Sequence, residues 1–103
     1  MSQHEPATLK VAIAQLSPVL MNRAATVERA AEAVREAGRN DAKLVAFGET
    51  FIPAYPVWLA RSDAARFEAA DVKAVHSSYL DQAFDLEADH LDPLRDAARQ
   101  AST

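Results

Sequence analysis

The stretch Lys43-Leu-Val-Ala-Phe-Gly-Glu-Thr-Phe-Ile-Pro-Ala-Tyr-Pro56 changes character near its middle. Its first five residues form a short apolar run of the kind found in buried strands. From Gly48 to Pro56, two prolines three residues apart exclude a regular helix, because proline lacks the amide proton that a helix needs. We therefore predict a strand and then a structured loop at its carboxyl end, which is the edge where open α/β sheets usually bind ligands.

A similar apolar run, from Leu9 to Leu16, comes earlier in the chain. Between the two runs, the residues from Asn22 to Asn40 place apolar side chains at helical spacing and charged side chains on the other side. Strand, amphipathic helix and strand make a βαβ unit, which predicts parallel strands that pair directly or with another strand between them. Asn22 is the expected N-cap of the helix, and Gly38 is its expected C-terminal stop.

Three further helices are predicted after the loop, over Ser62 to Ala70, Val72 to Phe84 and Leu91 to Ala101. In the last one, Asp92 and Pro93 have the residue types of an N-cap and a first-turn proline. The spacing of four between Asp81, Asp85 and Asp89 predicts a solvated acidic helix face rather than a metal site.

Composition and charge exclude several classes of function. The 103 residues carry a formal net charge of −4, which argues against a nucleic-acid partner. With no cysteine, the chain holds no disulfide, thiolate metal site or thiol nucleophile. No apolar run approaches the ~18 residues of a membrane span, and Met1 to Thr8 lacks the features of a signal peptide. We expect a soluble, cytoplasmic protein with no membrane partner.

Glu49 is the acid with the clearest catalytic potential. It follows the second strand almost directly and is flanked by Phe47 and Phe51. Apolar surroundings raise the pKa of a carboxylate toward the range of a general base, although a loop glutamate that points into solvent is the alternative. Tyr55 and Trp58 lie in the same loop region and either line an apolar substrate pocket or pack the loop on the core.

The segment from Lys43 to Trp58 resembles the region around the catalytic glutamate of the nitrilase family, in the carbon–nitrogen hydrolase superfamily. In addition, the segment from Val11 to Val19 is similar to that family's first strand, and Ala25 to Ala30 is similar to its first helix. Three segments in the right order and spacing make the resemblance specific. The aromatic residues after Glu49 are more similar to the nitrile-hydrolysing branch than to the amidase branches.

The resemblance implies a fold, a reaction and an assembly. The fold is α/β, a four-layer α/β/β/α sandwich. Residues 1–103 would form its first βαβ unit and the following helices, an incomplete N-terminal part of a single domain. The reaction is hydrolysis of a small-molecule nitrile to a carboxylic acid and ammonia by a Glu–Lys–Cys triad, without a cofactor or metal. Glu49 alone matches a triad position, so the 103-residue chain is expected to be inactive. The full-length protein is expected to be a homo-oligomer.

Two positions in the loop depart from the family pattern. The family usually has proline where Gly48 stands and glycine where Ala54 stands. If the family glycine uses a positive φ, Ala54 is expected to be strained there. Two other interpretations stay open. One is a different carbon–nitrogen hydrolase (an amidase, a carbamoylase or a cyanide-converting enzyme). The other is a non-catalytic truncated product or subunit.

Overall fold

The computed structural model of this chain describes residues 7–54, 56 and 70–103. The described residues form an α/β arrangement of two strands and three helices. In chain order these are β1 (Val11–Ala14), α1 (Arg23–Arg39), β2 (Leu44–Phe47), α2 (Ala70–Asp81) and α3 (Asp92–Ala101). The predicted helix over Ser62 to Ala70 lies outside the described residues, except for Ala70 itself, which begins α2.

The two strands pair directly and in parallel, as one of the two predicted arrangements requires. Val11 lies opposite Leu44, and Ala14 lies opposite Phe47. Strand β1 is shorter than the apolar run from Leu9 to Leu16, because only Val11–Ala14 pair with β2. The register brings the loops that follow β1 and β2 to the same edge of the sheet.

Helix α1 begins as predicted but ends later than predicted. The Asn22 side chain accepts a hydrogen bond from the Ala25 amide at 3.0 Å, which confirms Asn22 as the N-cap. The prediction that Gly38 stops the helix is wrong: the helix continues to Arg39, and Asn40 is the C-cap. The Asn40 side-chain amide donates a hydrogen bond to the Glu36 carbonyl at 2.9 Å. Asn40 thus uses its side chain to satisfy one of the last carbonyls of the helix, whereas a glycine cap has only backbone amides for this.

The core lies where α1 meets α3 and one face of the sheet. Ala31 and Val34 of α1 pack with Ala97 of α3, and Val45 and Phe47 of β2 pack against this cluster. Alanine predominates among the buried apolar residues that the structure describes: Val27, Ala30, Ala31, Val34, Ala37, Ala42, Ala54 and Ala97. Small side chains let the two helices approach closely, but each of them buries little apolar area.

The other face of the two-stranded sheet is apolar and exposed. Val11, Ile13 and Leu44 project there with exposed fractions of 51%, 76% and 53%. Alternate residues of both strands are partly buried, in agreement with the period of two along a strand. Within the described residues, therefore, only one face of this sheet is covered.

Helix α2 ends before the predicted limit at Phe84, and its end is held by the start of α1. The Arg23 guanidinium Nη1 donates to the Asp81 carbonyl at 2.9 Å and to the Ala83 carbonyl at 3.0 Å. The Arg23 backbone amide donates to Gln82 Oε1 at 2.9 Å. The first two bonds satisfy carbonyls at and after the end of α2, and the third satisfies an amide at the start of α1 that has no helical partner.

The region between α2 and α3 corrects two predictions. Asp81 is the last residue of α2, whereas Asp85 and Asp89 lie in the turns that follow, so the three do not share one helix face. Helix α3 begins at Asp92 with Leu91 as N-cap and Pro93 in the first turn. Asp92 is therefore a first-turn residue and not the cap, and its carboxylate pairs with Arg95 at 3.2 Å. The N-terminal end of a helix dipole favours an acid in either position.

Candidate active site

A cavity of about 680 Å³ lies at the carboxyl end of both strands. One wall comes from Ile13 to Pro18 with Leu20, which includes the loop after β1. The opposite wall comes from Phe47 to Phe51 with Ala54, which includes the loop after β2. This is the edge at which the sequence predicted a ligand site, and most of the lining side chains are apolar.

Glu49 lies in the turn that follows β2 after Gly48, and it lines this cavity. In the part of the chain that the structure describes, Glu49 is exposed to solvent. The rings of Phe47 and Phe51 stack on each other with centroids 5.4 Å apart, on either side of Glu49 in the chain. We predicted that Phe47 and Phe51 shield the Glu49 carboxylate from water. Among the described residues they do not, because the two rings cover each other instead.

The Glu49 turn is held by local hydrogen bonds. The Phe51 amide donates to the Gly48 carbonyl at 3.3 Å, and the Ala54 amide donates to the Thr50 carbonyl at 3.0 Å. Thr50 adopts a left-handed φ of 58° within this turn. The backbone on both sides of Glu49 is thus bonded to itself, and Glu49 lines the cavity.

Ala54 confirms the strain expected at that position. Its φ is 116°, in a region that alanine rarely adopts, and only 3% of the residue is exposed. At Gly48 the φ is not positive, and a Cβ added there meets nothing within 4 Å. Of the two departures from the family pattern, the one at Ala54 therefore strains the backbone, and the one at Gly48 leaves open space.

Sequence reasoning missed the residues that form and hold the opposite wall. Gln15 directly follows β1 and lines the cavity with Glu49. Thr26 and Arg29 of α1 are hydrogen-bonded to the backbone of the same loop. A threonine four residues after an N-cap is a weak signal by itself, because its partner can be its own helix as easily as a loop.

The remaining predicted site residues, Tyr55 and Trp58, lie outside the described residues. Within the described ranges, no group of three or more His, Cys, Asp or Glu side chains is arranged to hold a metal ion. Nor does any helix in those ranges have the length and apolar character needed to cross a membrane.

Comparison with protein families gives a match over nearly the whole chain. The carbon–nitrogen hydrolase family model matches residues 10–103, which include both strands, the Glu49 loop and all three described helices.

Several curated proteins are similar to this chain over shorter or longer segments. An aliphatic nitrilase from Rhodococcus rhodochrous is 36% identical over 94 residues, which cover 89% of this chain and 24% of that protein. A nitrilase from Bacillus sp. (strain OxB-1) is 46% identical over 56 residues, covering 52% of this chain and 16% of that protein. An arylacetonitrilase from Fusarium vanettenii is 45% identical over 51 residues, covering 50% of this chain and 15% of that protein.

The matched segments thus span about a quarter or less of the length of these relatives. No solved structure matches this chain significantly.

Proposed function

This chain belongs to the carbon–nitrogen hydrolase family, and from that premise we propose that it is the N-terminal segment of a nitrilase. The full-length enzyme hydrolyses a small-molecule nitrile to a carboxylic acid and ammonia. The relatives named above are nitrilases, arylacetonitrilases or aliphatic nitrilases, which favours this branch over the amidases and carbamoylases.

The observation that carries the proposal is the position of Glu49. It lies two residues after the end of β2, at the carboxyl edge of a parallel strand pair, and lines a largely apolar cavity of about 680 Å³. A carboxylate at such an edge can accept a proton from a nucleophile that enters the cavity. The apolar lining suits the hydrocarbon part of a nitrile.

In the proposed reaction Glu49 is the general base of a Glu–Lys–Cys triad whose other two members lie outside this chain. The cysteine sulfur adds to the nitrile carbon while Glu49 accepts the thiol proton, and transfer of that proton to the nitrile nitrogen gives the thioimidate. One water then adds and ammonia leaves, which gives a thioester, and a second water releases the carboxylic acid and the thiol. The lysine ammonium stabilises the negative charge that develops in these steps.

The fold and pocket belong to the same proposal. The exposed apolar face formed by Val11, Ile13 and Leu44 suits burial against a second sheet, as in a four-layer α/β/β/α sandwich. Residues 1–103 are then one incomplete part of a single domain. Tyr55 and Trp58 are proposed as pocket wall, and the full-length enzyme is proposed to form homo-oligomers.

The test measures ammonia release by two proteins, the polypeptide that the natural gene encodes and the 103-residue chain. The substrates are phenylacetonitrile, an aliphatic nitrile and the two corresponding amides. We expect the gene product to release ammonia from at least one nitrile and the 103-residue chain to release none, because the chain has no cysteine. Turnover of the amides without the nitriles would favour an amidase, and a gene product without any activity would favour a non-catalytic protein.

A further inference from the structure

The wall of the cavity that faces Glu49 is the loop that follows β1. Leu16 and Leu20 are exposed by 41% and 52%, and this loop contains no helix or strand. Even so, Pro18 and Leu20 both line the cavity, while Val19 between them is not part of the lining. Val19 is one of the residues at which the loop is attached to α1.

The attachment is the Thr26 hydroxyl. Its oxygen accepts a hydrogen bond from the Val19 amide at 3.0 Å. Its proton is shared between the carbonyl oxygens of Val19 at 3.0 Å and Asn22 at 2.8 Å. Thr26 has no exposed surface, and it is the polar residue found buried within the described part of the chain. A buried hydroxyl therefore bonds to both backbone groups of the residue at the centre of the wall.

A second side chain of α1 bonds to the same loop from the solvent side. Arg29 Nη1 donates to the Ser17 carbonyl at 2.6 Å. Arg29 lies three residues after Thr26, so the two side chains lie on neighbouring positions of the helix surface. One buried and one exposed contact thus connect the loop to the same turn of α1.

The parallel register places this loop beside the Glu49 loop. Ala14 and Phe47 are paired, so the chain leaves β1 at Gln15 beside the point where it leaves β2 at Gly48. Gln15 and Glu49 then line the same cavity. A movement of the first loop therefore changes the space above the Glu49 carboxylate.

We propose that Thr26 is a positioning residue of the candidate site: through Val19 it holds the loop Gln15–Leu20 at the distance from Glu49 that defines the cavity. Its role in catalysis rests on the proposed nitrilase function, whereas its role in holding the loop does not.

The experiment compares Thr26→Val, which keeps the shape but removes the hydroxyl, with Thr26→Ser, which keeps the hydroxyl. Amide hydrogen exchange and amide chemical shifts are measured by NMR in the 103-residue chain. In Thr26→Val we expect exchange at Val19 to accelerate by roughly tenfold, the effect of losing one buried hydrogen bond. We expect the amide shifts of Gly48 and Glu49 to change as well, while exchange at Val34 in the middle of α1 stays at the wild-type rate. Thr26→Ser should restore both loops.

The proposal is overturned if exchange at Val19 is unchanged in Thr26→Val, or if it accelerates while Gly48 and Glu49 keep their shifts. If Thr26→Val unfolds α1, Thr26→Ala decides by the same shifts, since it also removes the hydroxyl and alanine favours the helix. Changes in both loops then support the proposal, and changes in neither overturn it.

Kinetics of the natural gene product distinguish the positioning role of Thr26 from the proposed nitrilase function. With nitrile as substrate, Thr26→Val should raise KM several-fold more than it lowers kcat, and Thr26→Ser should reverse this. A gene product that does not hydrolyse nitriles refutes the nitrilase function and leaves the exchange result to decide the loop contact. An active enzyme in which Thr26→Val has wild-type KM and kcat overturns the positioning role alone.

Discussion

Gly38 of α1 lies against Ala101 of α3 so closely that a Cβ added at Gly38 would be 2.5 Å from the Ala101 Cβ and 3.0 Å from the Ala101 carbonyl oxygen. Real Cβ atoms essentially never approach another atom to 2.5 Å, and the neighbours here are a Cβ and backbone, which cannot rotate away. The absence of a side chain at Gly38 is therefore what allows the two helices of the core to pack.

We predict that Gly38→Ala destabilises the chain by up to about 2 kcal/mol. Overpacking costs about 1–3 kcal/mol, which exceeds the gain of about 1 kcal/mol that alanine brings to a helix interior. Urea unfolding measures this as a lower midpoint with an unchanged slope. Gly48→Ala is the matched control, because a Cβ there meets nothing within 4 Å. A Gly38→Ala variant as stable as the wild type would show that α3 can shift without loss.

A second prediction concerns the strained alanine of the loop. Ala54→Gly should change the free energy of unfolding by less than about 1 kcal/mol, because relief of backbone strain offsets the lost methyl group. The control is Ala31→Gly at an equally buried position inside α1, where we expect a loss of about 2 kcal/mol from helix propensity and packing together. Equal losses at the two positions in thermal or urea unfolding would mean that the φ of 116° at Ala54 stores no strain.

The contact between α1 and the end of α2 gives a third prediction. Arg23→Ala should lower the stability by about 1–2 kcal/mol, since it removes the donor to the Asp81 and Ala83 carbonyls. Arg39→Ala is the control: its ion pair with Glu32 at 3.4 Å is exposed, so we expect its loss to lower the stability less than Arg23→Ala does. Urea unfolding of both variants decides, and equal effects would argue that the Arg23 contacts act as an ordinary surface pair.

A fourth prediction is a pH dependence on the outer surface of α1. Hydrogen bonds from Arg35 and Arg39 hold the pKa of Glu32 below its ordinary value of 4.5. A depressed folded-state pKa gives a stabilisation that is present above the unfolded-state pKa and is lost as the pH falls through the folded-state value. The Glu32 contribution should thus disappear on acidification below about pH 4.5.

An NMR titration of the Glu32 carboxyl carbon tests this directly. In Arg35→Gln the pKa of Glu32 should rise toward the ordinary value, and 1 M salt should raise it in the wild type, because the pair is exposed and screened by ions. Arg95→Gln, which removes a guanidinium that pairs with Asp92 instead, serves as control. A Glu32 titration that is the same in Arg35→Gln and wild type would refute the assigned cause.

The fifth prediction tests the proposed base. In the natural gene product, Glu49→Gln should lower the rate of ammonia release from a nitrile by about 10²–10⁴-fold, because the amide cannot accept the proton. Glu87→Gln changes an exposed glutamate in the turns before α3 and should keep the wild-type rate. Circular dichroism of both variants shows whether the fold is kept. A Glu49→Gln enzyme with wild-type activity would remove Glu49 from the mechanism.

The sequence predicted those features that depend on neighbouring residues in the chain. Apolar spacing predicted α1, and the residue type at Asn22 predicted its N-cap. The two prolines predicted the irregular loop that carries Glu49. The βαβ order then predicted a parallel pair, and both loops at one edge of the sheet follow from it. Each of these depends on local backbone chemistry or on a general rule of chain connection.

Sequence alone did not predict which side chains meet across long separations. Gly38 is read locally as a helix stop, and only the approach of Ala101, 63 residues later, explains why glycine stands inside the helix. The exposure of Glu49 depends on Phe47 and Phe51 stacking on each other rather than on the acid. Likewise, whether Thr26 bonds to its own helix alone or also to the cavity wall depends on where the loop lies.

There is a physical reason why the sequence predicted the first group of features and not the second. Helix caps, strand alternation and proline breaks are decided by the φ and ψ choices of a few adjacent residues, and the sequence displays those residues together. Close helix packing, the attachment of the cavity wall and the surroundings of Glu49 depend on distances between segments far apart in the chain. Those distances exist only after the chain has folded, so the sequence determined the βαβ frame and the tertiary structure decided the geometry of the site.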